Sequence, residues 1–384
     1  MSGESAVDRA GNEGHKNAVS GSEAPVCAAA PSKSVSIKDV AKLAGVSMQS
    51  VSRVSNGSAS VSPQLRERVT RAMHELGYRP NRVARALRSG RTWTLGLFVE
   101  RLETSGSELM LESLMDAAAK RGYGLTLIPI GNDAQVSVIA SSPFVASLDV
   151  DGMIVNDRPA VAEAIDQFFP ESRISQLVAE AIYQFFPDTP VVSIGKNPDR
   201  ENWSSMDLDQ ELIGRLAVEH LLDLGHKTVY HVGGEQISNS AIKRAQSWEQ
   251  VLRERGCEVP PFEYAGWWAD DGYRVGKKLA EDPNCTAVFC ANDTLALGVI
   301  KALQESGLRV PEDVSVVGVD DSVNGYYPNN NLTTVSQRYA EAGRSLVELL
   351  IDRINGGGPK HVMVGDDLIV RGTTGPMRER VGGR

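Results

Sequence analysis

The chain has 384 residues, 41% of them apolar and 23% charged, with a formal net charge of −9. That length predicts two or three domains around globular cores, and no apolar run reaches the ~20 residues that a membrane span needs. Cys27, Cys257, Cys285 and Cys290 form no CxxC pair, and His220, His226 and His231 lie at spacings unlike a ligand set, which argues against a zinc site and suits a reducing cytoplasm.

Residues 1–32 are rich in Ser, Gly and Ala and lack the apolar stretch of a secretory signal, so they read as a disordered tail. From Lys33 to Arg91 twelve Lys/Arg face three Asp/Glu, a net +9 that leaves −18 on the remainder. A basic module on an acidic body is the footprint of nucleic-acid binding. Within the module Ser36 can cap "IKDVAKLA", with Asp39 in the first turn and Ile37, Val40, Ala41 and Ala44 on one face. Gly45 breaks that helix, and Ser47 caps a second one running to about Val54. Small Ala41 and Gly45 let the two helices approach across a short turn, the design of a helix-turn-helix.

The second helix lies in "GVSMQSVSRVSNG". Val51 and Val54 face inward and Val46 packs the turn, leaving Met48, Gln49, Ser50, Ser52 and Arg53 outside. Gln can read adenine, Arg can read guanine with two hydrogen bonds, and a helix N-terminus attracts phosphate. The candidate DNA contacts of this head are Ser36, Ser47, Met48, Gln49, Ser50, Ser52, Arg53 and Asn56. Ser62-Pro63 opens a third amphipathic helix closed by Gly77. In "YRPNRVARALRSGR", Asn81 caps a short helix bearing Arg82, Arg85 and Arg88 opposite Val83, Ala84 and Leu87. It is too short to be stable alone and fits order gained on DNA, with the leucine wedged between base steps.

Val35 to Gly96 resembles the lac-repressor family of bacterial transcription regulators, without gaps and with turn, recognition helix, third helix and hinge in order. The resemblance implies that the hinge helices of a dimer enter the minor groove, with Leu87 as the intercalating leucine and Ala84 as the hinge alanine, Arg82 and Arg88 joining the DNA contacts. Ser55 departs from the leucine usual there.

After Thr92, strand-like runs ("TLGLFV", "GLTLIPI", "VDGMIV", "TPVVSIG", "KTVYHVGG", "TAVFCAND", "DVSVVGVDD") alternate with helical stretches such as "GRLAVEHLLDLGH" and "ALGVIKALQESGL". This layout predicts parallel sheets covered by helices, with ligands at the carboxyl ends of strands. The polar residues there are Glu100, Arg101, Asn292, Asp293, Asp320 and Asp321. This region also resembles the family, whose core is like a periplasmic sugar-binding protein. The expected fold class is α/β: a small all-α helix-turn-helix head (33–79), a hinge helix (80–92) and a two-lobed core of parallel sheets (93–376). The first lobe takes about 93–208 and 339–365, the second about 209–338 and 366–376, and 377–384 form a tail.

The resemblance implies an effector site of Ser240, Arg244, Trp267, Asn292, Asp320 and Gln337, joined by Glu100 and Arg101. Arg244 stands four residues before Trp248, as the family's effector-binding arginine stands before an aromatic. These side chains suit vicinal hydroxyls and a pyranose face, hence a sugar. Blander roles stay open: Asn292 as a helix cap, Asp320 and Asp321 as turn caps, Trp267 as lobe packing. Three departures bear on the ligand: "VERLETSGSELM" after the first strand, Gly195 where some members have a carboxylate, and Ser247 at a glycine place. "VAEAIDQFFP" (161–170) recurs as "VAEAIYQFFP" (178–187), a local duplication too short in copies for a solenoid.

The reading is a cytoplasmic transcriptional repressor: a homodimer on a pseudo-palindromic double-stranded operator, controlled by a small-molecule effector, a sugar, with no membrane role and no cofactor. A sugar-binding protein of transport or sensing type is the alternative. An enzyme is not expected, since P-loop, nucleophile elbow and HExxH are missing, and "HVGGEQ" lacks the GxGxxG spacing.

Overall fold

The computed structural model describes residues 35–55, 60–79, 86, 90–99, 102, 104–129, 147–156, 186–195, 203–236, 238–323 and 331–378. The chain divides after Arg82 into two compact units. Of the duplicated segments only Phe186 and Pro187, the end of the second copy, are described; the rest of both copies and residues 1–34 and 379–384 lie outside the described residues.

In the first unit, helices α1 (Ile37–Ala44), α2 (Met48–Ser55) and α3 (Pro63–Leu76) close around Val40, Val51 and Val69, all fully buried. Val46, Leu65, Met73 and Tyr78 pack against that core. Helix α1 ends on Gly45 at φ +63°, and a Cβ there would meet nothing within 4 Å. The glycine thus supplies left-handed backbone rather than the close helix approach expected from its size; the helix contact is left to buried Ala41 and Ala44.

The second unit holds two six-stranded sheets. The first has strands β1 (Thr94–Val99), β2 (Gly124–Pro129), β3 (Gly152–Asn156), β4 (Val191–Ile194), β5 (Ser204–Leu208) and β11 (His361–Val364), ordered β11-β5-β4-β3-β1-β2 and parallel throughout. The second has β6 (Tyr230–Gly233), β7 (Glu263–Tyr264), β8 (Ala287–Cys290), β9 (Ser315–Val319), β10 (Thr333–Ser336) and β12 (Asp367–Ile369), ordered β12-β10-β9-β8-β6-β7. Only β12 runs antiparallel. Parallel strands need crossover helices, and the sequence supplies them. Helices α4 (Ser105–Lys120) and α9 (Tyr339–Ile354) cover a face of the first sheet; α5 (Gln210–Asp223) with α6 (Asn239–Glu254), and α7 (Ala269–Glu281) with α8 (Asp293–Glu305), cover the two faces of the second.

Three crossovers join the lobes: β5 to α5, β10 to α9, and β11 to β12. Arg338 of the second holds the Asp367 carboxylate with two hydrogen bonds of 2.6 Å, tying it to the third. The lone histidines are absorbed by packing. His231 is buried between Trp248 and Phe289, its Nδ1 2.9 Å from the Phe289 carbonyl, and burial pulls its pKa down to about 4. His226 sits between the Thr286 and Ser315 hydroxyls. Among the described residues no group of three His, Cys, Asp or Glu is placed to hold a metal, and no helix is long and apolar enough to cross a membrane.

Helices α7 and α8 cross backbone to backbone. A Cβ on Gly298 would fall on the Ala269 carbonyl oxygen and lie 2.7 Å from the Tyr273 nitrogen, and one on Gly272 would fall on the Leu295 carbonyl. Neither neighbour can rotate away. Gly298→Ala is expected to destabilise the second unit by about 3 kcal/mol, read as a lowered urea midpoint with unchanged slope.

Candidate nucleic-acid interface and interlobe site

In the head, Ser36 turns onto its own helix: its N–H and hydroxyl both donate to the Asp39 carboxylate, at 2.9 and 2.6 Å. Ser47 precedes α2, and its Oγ accepts the Ser50 N–H at 3.1 Å, satisfying a donor at the helix start. Val51 and Val54 are buried, while Met48, Gln49 and Arg53 are exposed and Ser50 and Ser52 half-buried. Positions 48, 49, 52 and 53 share one side of α2, as helical periodicity requires. The exposed face is therefore uncharged apart from Arg53. Asn56, Arg82, Ala84, Leu87 and Arg88 lie outside the described residues, as do Glu100 and Arg101.

In the second unit, one buried polar chain runs between the lobes. Arg244, on the first turns of α6, is 3% exposed. Its Nε donates to Gln210 Oε1 at 2.8 Å, and another guanidinium nitrogen donates to the Ala291 carbonyl after β8. Gln210 Nε2 donates to Gln337 Oε1 at 2.9 Å, and Gln337 Nε2 donates to the Asp320 carboxylate. The direction is forced: a guanidinium only donates and a carboxylate only accepts, so both amides between them must orient one way. Asp320 also accepts from two first-lobe hydroxyls, Tyr339 at 2.9 Å and Ser105 at 3.3 Å. Burial pushes the Asp320 carboxyl up, opposed first by the Arg244 charge. Burial likewise drives the Tyr339 phenol well above its usual range.

Of the sequence-named residues, Arg244, Gln337 and Asp320 thus come together. Asn292 caps α8, its Oδ1 accepting the Leu295 N–H at 2.8 Å while its amide donates to the Trp267 carbonyl at 3.1 Å. Asp293 is fully buried; its carboxylate accepts from the Thr334 hydroxyl at 2.6 Å and the Ser322 N–H at 2.8 Å, which fixes the loop carrying Asp320 and Asp321. Both aspartates of that loop have positive φ, +107° and +54°, and Asp321 is paired with Arg371 at 2.7 Å. Trp267 is half-buried and its ring lies on Gly234, where a Cβ would fall on the ring. The second glycine of "HVGGEQ" is thus a shelf for an indole. Ser240 is half-buried on the first turn of α6.

Two departures have local explanations. Ser247 donates to the Glu211 carbonyl at 2.6 Å, and its Cβ would be 2.8 Å from a Cβ on Gly214, so the glycine of this helix contact has moved to α5. Gly195 has φ +98°, which a carboxylate-bearing residue rarely adopts.

Sequence reasoning missed Gln210, Tyr339 and Ser105. Gln210 follows β5, whose "SSMDL" is too polar to read as a buried strand; Ser204 and Ser205 are nonetheless buried, Ser205 against His361. The rule that polar residues after strands line sites would have found it had β5 been seen.

The architecture is that of a ligand-responsive transcription regulator, a helix-turn-helix head with a two-lobed α/β body. Residues 36–81 match bacterial regulatory proteins of the lacI family, and residues 218–374 match a periplasmic binding protein-like domain. The HTH-type transcriptional repressor PurR of Histophilus somni is 31% identical over 340 residues, covering 87% of this chain and 97% of PurR. The HTH-type transcriptional regulator CelR of Thermobifida fusca is 32% identical over 350 residues, 86% and 96% of the two chains. Among solved structures, a CelR–cellobiose complex superposes with a TM-score of 0.61 at 30% identity, covering 88% of this chain and 99% of that one. A lac repressor dimer bound to operator and the anti-inducer ONPF gives 0.64 at 28%, covering 89% and 100%. The chain belongs to the lacI family of bacterial regulatory proteins: it is a DNA-binding transcription regulator.

Gln210→Leu removes the middle of the polar chain and strands a guanidinium donor and an amide acceptor in the interior. An unmet buried partner costs about 1–3 kcal/mol, so the variant is expected to lose about 2–3 kcal/mol in urea unfolding followed by tryptophan fluorescence.

Proposed function

We propose that this regulator is a homodimeric repressor acting in the cytoplasm, whose hold on a pseudo-palindromic operator is set by a sugar bound between the lobes. The observation that carries the reading is the polar chain from Arg244 to Asp320, which ends on first-lobe hydroxyls. A polyol entering there competes for Asp320 with Ser105 and Tyr339, and so acts on the very bonds that hold one lobe to the other. Effector and operator then prefer different lobe arrangements, and each weakens or strengthens the other by one coupling free energy. The CelR–cellobiose complex supports a sugar as the effector class. The lac repressor dimer on its operator supports the dimer and the duplex as partners.

In this reading Gln49 and Arg53 read bases, and Ser36, Ser47, Met48, Ser50, Ser52 and Asn56 make the surrounding base and phosphate contacts. Arg82, Ala84, Leu87 and Arg88 serve the minor groove through the hinge. Arg244, Asp320 and Gln337 hold sugar hydroxyls, Trp267 offers an apolar face, and Ser240, Asn292, Glu100 and Arg101 line the same site. Catalysis has no part in it; the relatives compared are repressors and regulators.

The test is selection of bound duplexes from a random pool, which should return a pseudo-palindrome. Failure to enrich one would refute the reading of the head. On the recovered operator, Arg53→Ala should weaken binding by about 1–3 kcal/mol, the worth of one bidentate base contact, and relax specificity at one position of each half-site. Arg244→Ala should bind operator but lose its response to any sugar that acts on the parent; a normal titration in that variant would refute the assigned site.

A further inference from the structure

Among the described residues, one buried acid has no hydrogen-bond partner on either oxygen. Asp366 lies in the third crossover, between β11 and β12, and is 8% exposed. Burial pushes its carboxyl up to about 7; the Arg244 charge opposes that shift, Asp209 adds to it, Arg338 opposes it and Asp367 adds to it. The third crossover is only Gly365 and Asp366, so Asp366 sits where the lobes are joined, within reach of charges from α6 and the other two crossovers.

Its neighbours are already committed. Arg338 is held by Asp367. Asp209 caps α5 by accepting the Leu212 N–H at 2.9 Å. Asp320 has donors on both oxygens. Asp366 alone among these acids has none. A buried carboxylate without donors is costly, and such a group in a folded protein calls for a specific cause. A bound molecule that brings the donors is one such cause. A metal is not favoured, because no further His, Cys, Asp or Glu of the described residues completes a ligand group there.

We propose that Asp366 is a further effector-recognising residue, whose two oxygens accept hydrogen bonds from adjacent hydroxyls of a neutral sugar bound against Arg244. This rests on the sugar reading above and goes beyond it by adding the third crossover to the site. The ionised carboxylate offers both oxygens as acceptors and the acid form spends one on its own proton. Sugar binding therefore draws the proton off, and affinity rises from pH 6 to pH 8. Asp293, also raised to about 7 by burial, titrates in the same window. Its oxygens are taken by Thr334 and Ser322, and it is common to parent and variants, so the difference between them reports Asp366.

The experiment is calorimetric titration of the full-length protein with a panel of neutral sugars, cellobiose and glucose first, at pH 6 and pH 8, for the parent, Asp366→Asn and Asp366→Ser. The expected result is a sugar that binds the parent more tightly at pH 8. The asparagine variant should bind it about tenfold or more weakly at pH 8 with the pH dependence reduced. Because the parent carboxyl has no native hydrogen bond to lose, neither variant should melt below the parent; a large drop in melting temperature for both would assign Asp366 to the fold and overturn the proposal. Equal sugar affinity and equal pH dependence in parent and variants would overturn the role of Asp366 and leave the sugar reading standing. No binding of any neutral sugar by the parent would overturn the sugar reading, and this inference with it.

Discussion

The second unit is organised around one buried cation. A guanidinium 3% exposed cannot be left without acceptors, since an unpaired buried charge is among the most expensive things a fold can contain. Everything around Arg244 follows from that requirement. The Ala291 carbonyl turns toward it from the end of β8, Gln210 is brought to it by the first crossover, and Gln337 passes the polarity on from the second. The chain closes on Asp320, which the αL-like turn after β9 holds inward. Because that last acid also accepts from Ser105 and Tyr339, the lobes are joined by hydrogen bonds rather than by apolar packing at this point. A hydrogen-bonded junction can be re-partnered by a polar ligand at little cost; a close-packed apolar one cannot.

The head works on different physics. Its three helices are short, and its fully buried side chains are few, so stability comes from caps and one small cluster. Ser36, Ser47 and Ser62 each spend a hydroxyl at a helix start. The consequence is an α2 whose inward face is two valines and whose outward face is free to be polar, which is what base reading needs.

Local chemistry was legible because it depends on neighbours in sequence. Capping residues, glycine stops and the 3.6-residue spacing of Val51 and Val54 act over a few positions, and the head was read from them nearly to the residue. The alternation of strands and helices was legible for the same reason. Where several forces could place one residue, the sequence left alternatives. Asn292 is a helix cap that also holds the Trp267 carbonyl, and Asp293, which looked like a site candidate, is the brace of the Asp320 loop. Gly45 was credited with helix approach, but it is there for its backbone angle.

The sequence by itself determined the helix-turn-helix, the charge split between head and body and the alternation of strands with helices, because each of these is written in short-range periodicity or composition; Asp320 stood out by its place after a strand, while Arg244 and Gln337 were named through the family resemblance. Tertiary structure decided which of the candidates meet. Gln210, Arg244, Gln337 and Tyr339 are brought together from positions up to 129 apart, and β5 is a buried strand despite three polar residues because Ser205 finds His361 across the sheet. It also decided that Asp366 is buried without a donor. No local pattern marks such a residue; desolvation is a property of what folds over it.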